Sequence, residues 1–281
     1  MEHSYQNAVS TTRLAATIAK IAGFNAPAAS DPALDWLADH WIKKFGGQAD
    51  RVLIFSADAV PAWMIRKYTE QFALVWEHAP MMIPTRTALP TITPVDYAAF
   101  FSGAAPSENG VDRYWPPILS EELTQPLLKG DSLIAAAVRA GRKVAVITCS
   151  NGCIASMLSR SGADFHIIPG DNDEAMYQKA MEIVRNGGHD FVFLYQLSFD
   201  YSQHANGPEG EAARATLDRI IQRFDTMCRE VENRWDGNTL IMFHTDHGCH
   251  LEPGGYGSHG KDIPEDTDIF QFFGGIQNVS K

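Results

Sequence analysis

The sequence has few cysteines, no long apolar run and fewer basic than acidic residues. Four cysteines in 281 residues do not make a disulfide framework, so we expect reduced thiols. No stretch approaches the ~18 apolar residues that a membrane span needs, which argues against a membrane partner. The first residues lack the basic region and apolar core of a secretory signal. We therefore expect a cytoplasmic protein.

The charge of the chain excludes one further class of partner. A net charge of −11, from 23 basic and 34 acidic residues, argues against binding to a nucleic-acid backbone. It leaves a small anionic substrate open, because bound metal ions reverse the sign of the local potential. With 45% hydrophobic residues, the chain can bury a sizeable core. The oligomeric state is left open.

Short apolar runs alternate with amphipathic stretches along the chain. We predict strands at residues 51–56, 143–148, 190–195 and 239–244. We predict helices at 8–22, 31–45, 60–77, 95–102, 131–141, 173–186 and 209–234, with a proline-rich loop at 80–94. The alternation favours an α/β fold, a doubly wound and mostly parallel sheet with helices on both faces.

The domain organisation follows from composition. No repeat, linker or change of composition divides the chain, so we interpret residues 1–281 as a single domain. We expect the helices within 1–47 to pack on its core. We interpret the irregular, proline-rich segment 104–130 as a loop on the substrate side.

Ionisable residues follow the predicted strands at their carboxyl ends. They are Asp58, Asp200, His204, Asp246 and His247, with His259 in a later glycine-rich loop. The carboxyl ends of parallel strands share one edge of a sheet, so we expect these side chains to meet there. Carboxylate and imidazole ligands suit zinc, or manganese and iron less selectively. Six ligands are too many for one tetrahedral zinc, so the sequence predicts a hydrolase with two divalent metal ions.

Some of these positions allow more than one interpretation. An isolated Asp58 after a strand is also typical of a turn or cap. Adjacent residues on an extended segment point to opposite sides. Asp246 and His247 therefore either bridge two metals or lie on a turn that directs both to one.

Five short motifs, in order over about residues 50–275, resemble the alkaline phosphatase superfamily, particularly its type I phosphodiesterase/nucleotide pyrophosphatase branch. The motifs are Ser56-Ala-Asp58, then Thr93-Pro94 followed by Phe101-Ser-Gly103-Ala-Ala-Pro106, Asp200-x3-His204, Thr245-Asp-His-Gly248 and Ser258-His-Gly260. The resemblance implies one metal on Asp200, His204 and His259. It implies the other on Asp58, Asp246, His247 and a nucleophile.

The resemblance also identifies the nucleophile. The family places a Thr or Ser at the start of a helix that ends ten residues later in Thr/Ser-Gly, and counting back ten from Gly103 gives Thr93. The segment also offers Thr85, Thr87 and Thr91, and neither Thr87 nor Thr91 has a glycine at that distance. A hydroxyl at a helix start benefits from the dipole and from free N–H groups that hold a phosphoryl oxygen. The alternative is that Thr93 only caps the helix.

The implied activity is hydrolysis of phosphate esters or anhydrides of a small phosphorylated substrate, through a phosphothreonine. A phosphonate hydrolase or phosphomonoesterase uses the same residues. A metal-dependent phosphomutase needs a cap domain, for which the segment between Gly103 and Asp200 is short. A metal-binding protein without catalysis is disfavoured by Thr93 together with the full ligand set.

Substrate contacts are expected in the segment 104–130. Phosphodiesterase relatives carry an Asn about twenty residues beyond the nucleophile, where this chain has Asp112-Arg113-Tyr114, with Asn109 nearer. We therefore expect Arg113, Tyr114 and Asn109 to contact the substrate. For Arg113 a charge-assisted phosphate contact and a solvated loop cation are both open.

Overall fold

The computed structural model describes residues 7–113 and 128–278. Its strands are β1 Val9–Ser10, β2 Arg51–Ala57, β3 Met81–Arg86, β4 Val144–Cys149, β5 Asp164–Ile168, β6 Phe191–Gln196, β7 Gly237–His244, β8 His250–Leu251, β9 Gly257–Ser258 and β10 Asp268–Asn278. Its α-helices are α1 Leu14–Ala22, α2 Asp35–Phe45, α3 Ala62–Lys67, α4 Ala73–His78, α5 Thr93–Ser102, α6 Pro106–Asn109, α7 Leu133–Arg139, α8 Ile154–Leu158, α9 Asp173–Asn186, α10 Ser198–Asn206, α11 Glu211–Arg234 and α12 Pro264–Thr267. Tyr114 and most of the expected substrate-side loop lie outside the described residues.

The main sheet of the described chain has the strand order β1-β3-β10-β7-β2-β6-β4-β5. Neighbouring strands are parallel except at β10, which is antiparallel to both β3 and β7. A separate hairpin pairs β8 with β9. The prediction of a doubly wound, mostly parallel α/β sheet is confirmed.

Two adjacent glycines of β10 show that helices cover both faces of this sheet. A methyl group on Gly274 would overlap the carbonyl oxygen of His78 at the end of α4, whereas one on Gly275 would meet the rings of Trp41 and Phe45 in α2. Adjacent residues of a strand point to opposite faces, so α2 and α4 lie on opposite sides.

The central strands are buried on both faces. Phe55 of β2 packs at 5.5 Å against Phe224 of α11. On the other side of the sheet, Phe193 of β6 packs at 5.1 Å against Phe101 of α5. Each such ring contributes roughly 1.5–3 kcal/mol through burial, which fixes α5 and α11 against the sheet. Among the described residues, no helix combines the length and apolarity needed to cross a membrane.

Six strands of the described chain are absent from the sequence-based prediction, and three of these, β1, β8 and β9, are only two residues long. The loop expected at 80–94 is wrong in its first half, because Met81–Arg86 form β3 despite Pro84. Ile83 and Thr85 are buried and alternate with more exposed neighbours, as in a half-buried strand. The strands β5 and β10 were not predicted either. The helix expected at 60–77 is divided into α3, a 3-10 turn at Thr69–Phe72 and α4.

The close approach of α4 to β10 predicts the effect of one substitution. We expect Gly274→Ala to lower the free energy of unfolding by about 1–3 kcal/mol, because the methyl group meets backbone atoms that cannot rotate away. Urea denaturation measures the change. Gly188→Ala is the control, since nothing lies within 4 Å of its added methyl group. Equal stability of the two variants would contradict this packing.

Candidate metal centre and active site

The ionisable residues predicted from strand ends converge at one edge of the sheet. Asp58 directly follows β2, and Asp246 and His247 follow β7, its parallel neighbour. Asp200 lies on α10, which follows β6 on the other side of β2. All three carboxyl groups are buried, with residue exposures of 2% for Asp58, 0% for Asp246 and 6% for Asp200. The edge rule for parallel strands therefore brings them together.

One group consists of Asp58, Asp246 and His247, whose ligand atoms lie within 4.8 Å of one another. The Nε2 atom of His247 is 3.5 Å from Oδ1 of Asp58 and 3.5 Å from Oδ2 of Asp246. After β7 ends at His244, residues 245–249 have no regular secondary structure, and the adjacent Asp246 and His247 both bring a ligand atom to this group. Of the two arrangements left open by the sequence, the structure shows the one in which both side chains face one point.

A second group consists of Asp200, His204 and His259, again with ligand atoms within 4.8 Å. The Oδ1 atom of Asp200 is 3.3 Å from Nε2 of His204 and 3.6 Å from Nε2 of His259. Asp200 and His204 are one turn apart on α10. The rings of His247 and His259 stack at 4.1 Å, so the two groups are neighbours.

The carboxylates of both groups have the bonding expected of metal ligands. Three buried oxygens, Oδ1 of Asp58, Oδ1 of Asp200 and Oδ2 of Asp246, have no hydrogen-bond partner within the described chain. The second oxygen of Asp58 accepts from the Tyr195 hydroxyl, and that of Asp246 accepts from the Ala59 N–H at 3.0 Å. Unpaired buried oxygens are costly, and one cation in each group would satisfy all three.

The histidines are oriented in one common way. In each ring Nδ1 lies against a backbone carbonyl oxygen, to which its N–H donates, and Nε2 keeps its lone pair for a metal. The pairs are His204 with Gly257 at 2.8 Å, His247 with Gly248 at 2.9 Å, and His259 with Thr91 at 2.8 Å. Both groups therefore fit a divalent ion bound by oxygen and nitrogen.

The electrostatics of the site also favour bound cations. Burial, together with the negative charges of Asp246 and Asp200, raises the pKa of Asp58 well above its usual value. Burial likewise raises the pKa of Asp246. Burial and the neighbouring His247 lower the pKa of His259 to about 3, which keeps its imidazole neutral as a metal ligand must be. The carboxylates of Asp58 and Asp246 thus lack a counter-charge that a divalent ion would provide, whereas His204 and His259 lower the pKa of Asp200 although burial opposes this.

Thr93 is the first residue of α5 and lies beside these ligands. Its Oγ1 is 3.3 Å from Nε2 of His247. It lines a pocket of about 190 Å³ together with Asp58 and Asp200, and Asn151 and Tyr201 line the same pocket. A hydroxyl, both ligand groups and open space for a substrate therefore meet at one point.

The start of α5 offers fewer N–H groups than expected. Pro94 has none, and the N–H groups of Val95 and Asp96 donate to the carbonyl oxygen of Ile92 at 3.0 and 3.2 Å. The N–H of Thr93 itself donates no hydrogen bond within the described chain. The helix end therefore leaves one backbone donor, rather than several, for a phosphoryl oxygen.

The predicted substrate contacts Asn109 and Arg113 bond to residues near them in the sequence. Asn109 is buried at 1% exposure, donates from Nδ2 to the Ala104 carbonyl at 2.9 Å and accepts from the Val111 N–H at 2.9 Å. Its amide thus holds the turn after α6. The Arg113 side chain is 72% exposed and pairs with Asp112 at 3.2 Å.

Asn151 and Gly152 follow β4 and line the pocket, but they were not predicted from the sequence as site residues. The signal was present, because polar residues after a predicted parallel strand belong at the same edge as Asp58. Asn151 is exposed to solvent at this edge. Gly152 lies close to Tyr195, so the turn after β4 contacts β6 beside the ligands.

The chain matches a protein family described as type I phosphodiesterase / nucleotide pyrophosphatase over residues 52–257. No curated protein sequence matches it. The fold is similar to that of murine ectonucleotide pyrophosphatase / phosphodiesterase 5, solved as an inactive threonine-to-alanine variant with AMP. The TM-score is 0.60 at 12% identity, over 80% of this chain and 88% of that one.

A second similar structure is phosphonoacetate hydrolase from Sinorhizobium meliloti 1021 in complex with phosphonoformate. Its TM-score is 0.52 at 14% identity, and the match covers 74% of this chain but 59% of the hydrolase. The shared part is the α/β sheet with its helices.

A buried carboxyl group secures the helix that carries Thr93. Asp96 of α5 is fully buried, and its Oδ1 accepts from the Thr87 hydroxyl at 2.5 Å and the Ala88 N–H at 3.1 Å. Its other oxygen has no partner among the described residues. Burial raises the pKa of Asp96 to about 7, although the bond from Thr87 opposes this.

The raised pKa of Asp96 predicts a pH dependence of stability. The folded pKa lies above the unfolded value of 3.8, so this contribution to stability is complete below pH 3.8 and is lost as the pH rises to about 7. We expect Asp96→Asn, which keeps the acceptor oxygen, to gain up to about 4 kcal/mol relative to wild type over this interval. Urea denaturation from pH 4 to pH 8 measures the difference, and parallel curves would contradict it.

Proposed function

We propose a function from one premise: the chain belongs to the type I phosphodiesterase / nucleotide pyrophosphatase family. Family and fold support a hydrolase of phosphoric esters. Our proposal is that it cleaves diesters or anhydrides of small organic phosphates with two divalent ions, through a phosphothreonine at Thr93. The observation that carries it is the Thr93 hydroxyl, 3.3 Å from His247 and beside both ligand groups.

We propose that each ligand group holds one ion. Asp58, Asp246 and His247 would hold the ion next to Thr93. The other group, Asp200, His204 and His259, would hold the second. Bound ions of this kind, zinc first and manganese or iron as alternatives, supply positive charge that lowers the pKa of a hydroxyl and stabilises phosphoryl and leaving oxygens.

Residues of the chain itself carry out the attack on phosphorus and bind the phosphoryl oxygens. The Thr93 hydroxyl loses its proton to solvent as its oxygen attacks phosphorus, and the bond from phosphorus to the leaving oxygen breaks, so the leaving group departs and takes a proton from solvent. Water then attacks phosphorus, releases the phosphate product and restores the Thr93 hydroxyl. Within the described chain, the Thr93 N–H is the one backbone donor at the start of α5 that has no acceptor. We propose that the Asn151 amide, which lines the same pocket, donates the second hydrogen bond to a phosphoryl oxygen.

The charge of the pocket favours a substrate with a single negative charge. No Lys or Arg is among the described residues that line it, and the sequence of 114–127 contains neither. A diester carries one charge on phosphorus where a monoester carries two. A phosphonate hydrolase is the second candidate, because a phosphonoacetate hydrolase shares the fold. Arg113 and Tyr114 remain proposed substrate contacts.

The covalent step makes Thr93 essential. The similar mouse protein is described as inactive with one threonine changed to alanine, which favours a threonine as the essential group. We expect Thr93→Ala to lower kcat for an aryl phosphodiester by at least ~10³-fold, with zinc or manganese present. Thr93→Ser should retain part of the activity because it keeps a hydroxyl. Full activity of the alanine variant would exclude the covalent mechanism, and a preference of wild type for the aryl monoester would exclude the diesterase assignment.

We expect substitution of Asn151 to affect catalysis and substitution of Asn109 to affect stability. Asn151→Ala should lower kcat/KM by about 10²-fold through loss of a phosphoryl contact, with the Tm nearly unchanged. Asn109→Ala should lower the Tm because it removes two buried hydrogen bonds, while kcat/KM of the folded protein stays near wild type. Steady-state kinetics and thermal denaturation of both variants test this. If Asn109→Ala instead lowered kcat/KM and Asn151→Ala did not, Asn109 would be the residue that contacts the phosphate.

A further inference from the structure

Tyr195 is a buried residue of β6 that touches the site without being a ligand. It is 4% exposed, lines the pocket, and its hydroxyl donates to Oδ2 of Asp58. We propose that Tyr195 is a positioning residue for the ion next to Thr93. By occupying one carboxylate oxygen, it makes Asp58 bind through Oδ1 alone.

The register of the sheet explains why Tyr195 reaches Asp58. Tyr195 lies opposite Ser56 in the parallel pair of β6 and β2. Asp58 is two residues beyond Ser56, so the phenol and the carboxylate project from the same face. The N–H of Asp58 also donates to the Gln196 carbonyl at 2.9 Å. Both the backbone and the side chain of Asp58 are therefore fixed to β6.

The hydroxyl also decides which oxygen of Asp58 is available. The Oδ1 atom has no hydrogen-bond partner in the described chain and lies 3.5 Å from Nε2 of His247, the direction of the shared ligand group. Without the hydroxyl, Oδ2 would lose its partner. The carboxylate would then be free to rotate and present either oxygen. The ion would lose a ligand held in one orientation, and its affinity would fall.

Asp58 and Asp246 differ in how they are held. Asp246 accepts two backbone hydrogen bonds, from Ala59 and His247, each at 3.0 Å. Asp58 depends on the side chain of Tyr195. The orientation of Asp58 is thus sensitive to a single substitution outside the ligand set.

Tyr97 is a matched control for such a substitution. It is also a buried tyrosine, and its ring meets that of Tyr195 edge to face at 5.5 Å. Its hydroxyl pairs with Ser56 at 2.5 Å and, among the described residues, forms no hydrogen bond with a proposed ligand. Replacing either tyrosine by phenylalanine removes one buried hydroxyl and keeps the packed ring, so both variants are expected to fold.

Zinc affinity in two single-site backgrounds tests the inference, which rests on the proposed function because it treats Asp58 as a ligand. His204→Ala leaves the group with Asp58 intact, and Asp246→Asn leaves the group with Asp200 intact. Tyr195→Phe or Tyr97→Phe is added to each background. Chelator competition then gives the zinc Kd, with circular dichroism as the check on folding.

We expect Tyr195→Phe to weaken zinc binding about 10–100-fold in the His204→Ala background. It should leave Kd within about twofold in the Asp246→Asn background, and Tyr97→Phe should leave it so in both. No loss in the first background, an equal loss in both, or the same loss with Tyr97→Phe would overturn the role of Tyr195 while leaving the proposed function standing. Failure of the wild-type chain to bind zinc, manganese or iron would overturn both.

Discussion

Three carboxylates are buried within one edge of the sheet, and their repulsion is the constraint on which the site depends. Asp58, Asp200 and Asp246 each keep an oxygen without a hydrogen bond in the described chain. A fold selected for stability alone would not retain this arrangement, since buried unpaired anions are expensive. Divalent cations bound there would convert the repulsion into binding energy. The edge would consequently be stable in the form that the proposed function requires.

The surrounding structure holds the ligands mainly through the backbone. Carbonyl oxygens fix the histidine rings, and N–H groups fix Asp246. Fewer of these contacts come from side chains; one is the hydrogen bond that the Tyr195 hydroxyl donates to Asp58. Backbone contacts survive most substitutions, so many sequences can build the same site. That tolerance is in keeping with similar folds at 12–14% identity.

The sequence predicted those parts that simple periodicity and the edge rule determine. The central parallel strands are continuous apolar runs, and residues after them, such as Asp58 and Asp246, meet because of sheet geometry. The strand β10 was missed because it is antiparallel and carries no site residue, and β3 because Pro84 indicated a loop. Asn109 follows no strand or helical period that would fix its direction, so spacing alone could not show that its amide points into its own turn.

The single antiparallel strand of the main sheet in the described chain has a consequence for how the site is aligned. The strand that leads to Thr93 and the strand that leads to His247 do not touch; β10 lies between them and bonds to both. The separation of the proposed nucleophile and the proposed metal ligand therefore depends on a strand that contributes no residue to either ligand group. A shift of β10 along either neighbour would change the distance between Thr93 and His247 without altering either residue.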